Sequence, residues 1–128
     1  MGQPVVHFEI IGRDPAGLRD FYRSLFGWDF DTSGPVPPAV SEQGNYGYIE
    51  QATTKDGVGI PGGVGGGVSH QPRALVYVGV PDVAAALDQA ERLGATRLWG
   101  PEQPPGRDLV VGQFTDPEGN VIGVANVV

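Results

Sequence analysis

Two kinds of apolar pattern recur along the chain, short β-branched runs and stretches at helical spacing. Pro4 to Ile11 (PVVHFEII) is an apolar run rich in β-branched residues and predicts a strand. Asp14-Pro15 follows, a capping residue with proline at the first helical position. Leu18, Phe21, Tyr22, Leu25 and Phe26 then share one face at three- and four-residue spacing, and Gly27 supplies the stop. Trp28 to Asp31 and Tyr46 to Ala52 predict two more strands, and Val58 to Val64 a glycine-rich third.

The pattern then starts again. Ala74 to Val80 (ALVYVGV) predicts a strand and Asp82 an N-cap. Val83, Ala86, Leu87, Ala90 and Leu93 form an apolar stripe, with Gly94 just past its end. Thr96 to Gly100, Leu109 to Thr115 and Val121 to Val127 predict three further strands. Asp116-Pro117-Glu118-Gly119-Asn120 joins the last two as a tight turn. Asp14 aligns with Asp82 and Leu25 with Leu93 at an offset of 68 residues, and Gly27 with Gly94 at 67. Strand, helix and three strands therefore occur twice, in modules of about residues 4–66 and 73–128, within one α+β domain over residues 1–128.

Composition changes this picture in three places. Gly 21 and Pro 12 cluster between the apolar runs, so they mark loops and turns rather than disorder. The loops 32–44, 65–72 and 101–108 are the places where binding groups and lids are expected, or else plain surface connections. A net charge of -7 with only eight Lys and Arg gives no cationic cluster for a polyanion, so nucleic acid is not an expected partner. An acidic, bacterial-type soluble surface is expected instead. The absence of Cys excludes disulfides, thiolate nucleophiles and thiolate metal sites. No apolar run approaches the roughly twenty residues needed to span a bilayer, so a cytoplasmic location away from membranes is expected.

Glycines 62, 63 and 65–67 surround Val64 in a run that lacks the Lys-Ser/Thr and helix of a phosphate loop. The run reads as a mobile flap or linker between modules. No G-x-S-x-G nucleophile signature occurs.

Four stretches carry a family resemblance: V-V-H-F-E-I at 5–10, D-P-x-G-L-R-D-F-Y-R-S-L-F-G-W at 14–28, P-D-V-A-A-A-L-D-Q-A-E-R-L-G-A at 81–95, and D-P-E-G-N-V-I-G at 116–123. Together they resemble the vicinal oxygen chelate superfamily, which contains glyoxalase I, extradiol dioxygenases, methylmalonyl-CoA epimerase and the fosfomycin and bleomycin resistance proteins. They are most similar to its small glyoxalase-related members. The resemblance implies two βαβββ modules forming a U-shaped cup of mixed sheet, with the helices outside. It also implies a homodimer.

In metal-dependent relatives, four side chains from the first and fourth strands of each module hold a divalent cation. The resemblance places His7 at the first of these positions. The equivalent position in the second module is Leu75, the last-strand position is Gly123, and the first module's fourth strand, 57–64, offers no acid or imidazole. Asp56 comes just before that strand, and His70 lies in a loop. One ligand of four does not hold a divalent ion against water. No cofactor is therefore expected, with a weakly held divalent metal as the alternative.

Alternation on the first strand directs Val6, Phe8 and Ile10 to the helix, and His7 and Glu9 to the cup. An imidazole and a carboxylate on one face suit general acid/base work, or they bond to each other, to backbone or to a partner. Tyr46, Tyr48 and Glu50 share a face of their strand. Leu75, Tyr77 and Gly123 face the cup from the second module, and Trp99 and Phe114 join the candidate lining. The first expectation is a protein that binds a small organic molecule in the cup without a tightly held metal. The alternative is a glyoxalase-related lyase or isomerase, or a dioxygenase relative, using His7 and Glu9 for proton transfer. A purely structural or protein-interaction module is the third.

Overall fold

In the computed structural model, which describes residues 2–127, the chain has an α+β fold with seven strands and two helices. It divides into two compact units. One runs from His7 to Ala74, and the other holds Leu75 onward with the segment ahead of His7. Among the described residues, no helix is long and apolar enough to cross a membrane.

The first unit is built on β1 (Val5–Gly12), α1 (Pro15–Phe26), β2 (Gly47–Ile49) and β3 (Gly62–Gly66). Its strand order is β2-β3-β1, with β3 parallel to β1 and antiparallel to β2. Helix α1 starts where the capping residues predict, because the Asp14 carboxylate accepts from Gly17 N at 3.1 Å. It stops at Gly27, whose φ of 71° is left-handed and returns an N–H to Arg23 O.

Three expectations for this unit change. Trp28 to Asp31 does not form a strand: only Asp31 bridges Tyr48, through N–H···O bonds of 2.9 and 2.8 Å. Trp28 instead packs its indole against Phe8, Tyr22 and Phe26, with ring centroids 5.1 to 5.4 Å apart. The glycine run is no flap. Gly62–Gly66 is a fully buried central strand hydrogen-bonded on both sides, and it begins four residues later than the predicted strand, residues 58–61 being irregular after the 3-10 turn at Lys55–Gly57. The α1 stripe is only partly buried. Leu18 lies against Gly12, but Phe21, Leu25 and Phe26 stay 56%, 57% and 56% exposed. Their apolar arc is wider than the surface the helix covers.

The second unit comprises β4 (Arg73–Gly79), α2 (Val83–Arg92), β5 (Thr96–Glu102), β6 (Val111–Thr115) and β7 (Val121–Ala125). The strand order is β4-β7-β6-β5, with β4 and β7 parallel and the other pairs antiparallel. This is the predicted β-α-β-β-β module. The Asp82 carboxylate caps α2 by accepting from Ala85 N at 3.0 Å. Leu93 falls past the helix end and is exposed. Alternation splits the core cleanly. Val80, Val83, Leu87 and Val124 pack on the helix side, while Leu75, Tyr77, Val111 and Ala125 pack on the opposite face. Arg97 ties β5 to α2 by bonding Asp88 and Glu91 at 2.6 and 2.8 Å.

Of the three long loops, residues 32–44 are pinned to β3 through Ser41. Ser41 is fully buried, accepts from Gly66 N at 2.9 Å and donates to Gly66 O at 3.0 Å. Residues 65–66 belong to β3 and 101–102 to β5, so the other two loops are shorter than expected.

Candidate functional site

Strand β3 lies between β1 and β2, so side chains on the outer two strands start about 10 Å apart. They meet because β3 offers only glycine on the shared face. A Cβ on Gly63 would clash with the hydroxyl end of the Tyr46 ring, 2.0 Å from Cζ, and one on Gly65 would sit 2.8 Å from Tyr46 Cδ2. On the opposite face Gly62 makes the same room for the ring of Phe8. The glycine run thus acts as a floor over which large side chains from β1 and from the start of β2 reach each other.

Three polar groups converge there. His7 Nε2 lies 2.7 Å from the Tyr46 hydroxyl, and that hydroxyl donates to Glu9 Oε1 at 3.0 Å. Glu9 and Tyr46 are buried, at 2% and 7% exposure, while His7 is half-buried. A carboxylate taken out of water costs several kcal/mol unless hydrogen bonds replace its hydration, and the Tyr46 phenol supplies one. Tyr48 completes the group. Its ring stands 6.1 Å from His7 at 8° to the imidazole plane, and Tyr46 stands 6.3 Å away at 14°. At 38% exposure Tyr48 presents an aromatic surface to solvent beside a half-buried imidazole.

Of the residues singled out in the sequence, His7, Glu9, Tyr46 and Tyr48 therefore come together. Glu50 does not join them. It is exposed and lies beyond the end of β2, where Gln51–Thr53 turns into a 3-10 helix. In the second unit Leu75, Tyr77 and Trp99 share one apolar cluster, and Gly123 lies under the Tyr77 ring. Phe114 is on the wrong face to join them: it packs against the Val80, Val83, Leu87 and Val124 cluster on the α2 side. The period of two explains this, because Gly112 beside it also faces Leu87.

One residue escaped the sequence reading. Gln113 is fully buried and donates from Nε2 to the Tyr77 hydroxyl at 2.8 Å. Its position between Val111 and Thr115 on the face opposite Phe114 was the available signal. The two units thereby use the same device. A tyrosine ring crosses a glycine of a middle strand and meets a polar side chain on a neighbouring one, Tyr46 over Gly63 to Glu9 and Tyr77 over Gly123 to Gln113.

The ligand positions implied by the resemblance do not fit a divalent metal. Leu75 and Gly123 carry no donor, and Asp56 sits exposed in a 3-10 turn at φ 60°. His70 is held against the 32–44 loop, with Nε2 at 3.2 Å from Pro38 O. Among the described residues, no group of three or more His, Cys, Asp or Glu side chains could hold a metal ion.

A family model described as a glyoxalase-like domain matches residues 7–125. No curated protein matches the chain in sequence. Among solved structures, methylmalonyl-CoA epimerase of Streptomyces coelicolor in complex with 2-nitronate-propionyl-CoA is similar at 14% identity and a TM-score of 0.67, covering 96% of each chain. A hypothetical protein from Bacillus halodurans is similar at 11% identity and a TM-score of 0.67, over 98% of this chain and 94% of that one. A glyoxalase/bleomycin resistance protein/dioxygenase superfamily member from Vibrio splendidus is similar at 15% identity and a TM-score of 0.57, over 97% and 98%. These likenesses show a common fold.

Proposed function

The chain belongs to the glyoxalase-like domain family, and from that premise we propose that it binds a small organic molecule on the sheet face carrying His7, Tyr46 and Tyr48, without a tightly held metal. One observation carries this reading: an aromatic ring 38% exposed stands beside a half-buried imidazole, over a strand that contributes no side chain to that face. Small-molecule sites are mostly apolar with a few convergent polar groups, and this face has that make-up. The donor set argues for a metal-free site, since one imidazole is too few ligands for a divalent ion. The same fold holds an acyl-CoA thioester in the epimerase structures, which makes methylmalonyl-CoA a rational first probe.

A second reading is favoured by a separate observation, the bonded series His7, Tyr46 and Glu9. An imidazole backed by a buried carboxylate is suited to moving a proton at an acidic carbon next to a carbonyl, the step of a lyase or isomerase.

Thermal-shift measurement with methylmalonyl-CoA and a panel of small carbonyl compounds tests binding. Stabilisation that disappears in Tyr48→Ala supports the first reading, and no stabilisation by any member overturns it for these classes. Metal retained stoichiometrically after dialysis overturns the metal-free claim. Incubating each binder in D2O and following its C–H signals separates the readings. Exchange that needs His7 supports proton transfer, and binding without exchange supports sequestration.

A further inference from the structure

The segment after α1 puts a carboxylate beside an exposed aromatic ring. Asp31 and Tyr48 exchange two backbone bonds, from Asp31 N to Tyr48 O at 2.9 Å and from Tyr48 N to Asp31 O at 2.8 Å. Residues paired directly in this way send their side chains to one face, with Cβ atoms about 5 Å apart. That face is the one carrying His7, whose ring stands 6.1 Å from Tyr48. We propose that Tyr48 and Asp31 form a recognition pair for an organic ammonium group, so that the small molecule bound on this face is a cation.

Both members of the pair are set up for this. A ring attracts a cation through its quadrupole, and the Tyr48 ring, 38% exposed, keeps part of its surface open to a ligand. Ser33 donates twice to Asp31 Oδ1, from its backbone N at 2.9 Å and from its hydroxyl at 2.6 Å. These bonds fix the carboxylate and leave Oδ2 for a ligand. The same bonds, the hydroxyl's foremost, hold this carboxyl below the ordinary aspartate value, so it stays ionised at neutral pH. Among the described residues, the ion pairs join Arg23 to Asp20 and Arg97 to Asp88 and Glu91, and none engages Asp31.

The backbone sorts charge across this edge of the sheet. Gly47 precedes Tyr48 in β2 and so faces the opposite side, where it lies against the side chains of Phe30 and Arg19. On that side the Arg23 guanidinium stands 5.5 Å from the centroid of the Phe30 ring. Phe30 thus already holds a cation supplied by the chain, while Tyr48 on the other face has the carboxylate of Asp31 as its neighbour. The ligand's ammonium takes, at Tyr48, the place that Arg23 takes at Phe30.

The inference rests on the small-molecule reading above, and its test keeps the two failures apart. Choline and its uncharged isostere, with carbon in place of the quaternary nitrogen, are titrated into the full chain at neutral pH and followed by nitrogen–proton NMR. The expected result is choline binding that moves the amide signals of Asp31, Ser33 and Tyr48. Choline should bind about fivefold more tightly than the isostere, the size of one exposed cation–π contact, and should weaken as salt is added. Asp31→Asn and Tyr48→Leu, both at exposed positions, should each lower choline affinity about two- to fivefold and narrow the gap between the probes. Failure of choline to bind, or equal affinity of the two probes, overturns the ammonium class. So does an unchanged gap in folded Asp31→Asn, or tighter binding on this face of methylmalonyl-CoA, a polyanion that Asp31 repels. Should a variant not fold, the isostere comparison and salt dependence of the parent protein decide. The small-molecule reading survives each of these outcomes when the isostere or a carbonyl compound binds, and falls when none does.

Discussion

Tyr46 lies across the α-carbon of Gly63 so closely that a methyl group on Gly63 would stand 2.0 Å from Cζ and 2.1 Å from the hydroxyl of the phenol. The contact joins the glycine-rich strand to the only place in the first unit where an imidazole, a phenol and a buried carboxylate are seen to meet among the described residues.

Gly63→Ala is therefore expected to act on the site and on stability together. Overpacking of this kind costs roughly 1–3 kcal/mol, read as a lowered denaturant midpoint. The displaced ring also breaks the His7 contact, which the imidazole NMR signals report. Gly2→Ala meets nothing within 4 Å and serves as the neutral control.

Tyr46→Phe removes a hydrogen bond to a carboxylate that is 2% exposed. The expected loss is about 1–3 kcal/mol of unfolding free energy, because a buried charged acceptor loses a donor. Urea unfolding at neutral pH measures it.

The turn joining β6 to β7 is expected to loosen in acid. Asp116 accepts from the Asn120 side chain and from the backbone N–H groups of Asn120 and Glu118, each at 2.9 Å. These bonds, those of Asn120 foremost, hold its carboxyl below the ordinary aspartate value. A group depressed in the folded state stabilises above its unfolded pKa, and that contribution is lost as pH falls through the folded value. The protection of the Glu118 and Asn120 amides against exchange, relative to their intrinsic rates, should fall below the ordinary aspartate range and stay flat above it. Asp116→Asn should remove most of that acid dependence.

Helix α1 and helix α2 should differ sharply in how much the loss of an apolar side chain costs. Phe21→Ser and Leu25→Ser change residues more than half exposed and are expected to shift stability by no more than ~0.5 kcal/mol. Leu87→Ala empties a fully buried position against Val80, Val83 and Val124, and is expected to cost about 2–5 kcal/mol. Denaturant midpoints of the three variants decide the comparison.

Much of the architecture was legible in the sequence because it depends on local signals. Asp14-Pro15 and Asp82 begin helices, Gly27 ends one, and the alternation in β4 separates Leu75 and Tyr77 from Val78 and Val80. The same alternation placed His7 and Glu9 on one face of β1. The errors arose where partners distant in sequence decide. Trp28 leaves the sheet for an aromatic cluster with Phe8 and Tyr22, and Phe114 lies on the helix face. Glu50 falls beyond a strand that ends one residue earlier.

The sequence by itself determined the duplicated strand-helix-strand order, the caps and the side-chain periods, because these follow from interactions among near neighbours in the chain. Only the tertiary structure decided that the run from Gly62 to Gly66 is a central strand rather than a flap, and that Tyr46 links His7 to Glu9 across it. Glycine carries no side chain to reveal its surroundings, so its role is set by the rings of Phe8 and Tyr46, which the fold brings from 54 and 17 residues away in the chain.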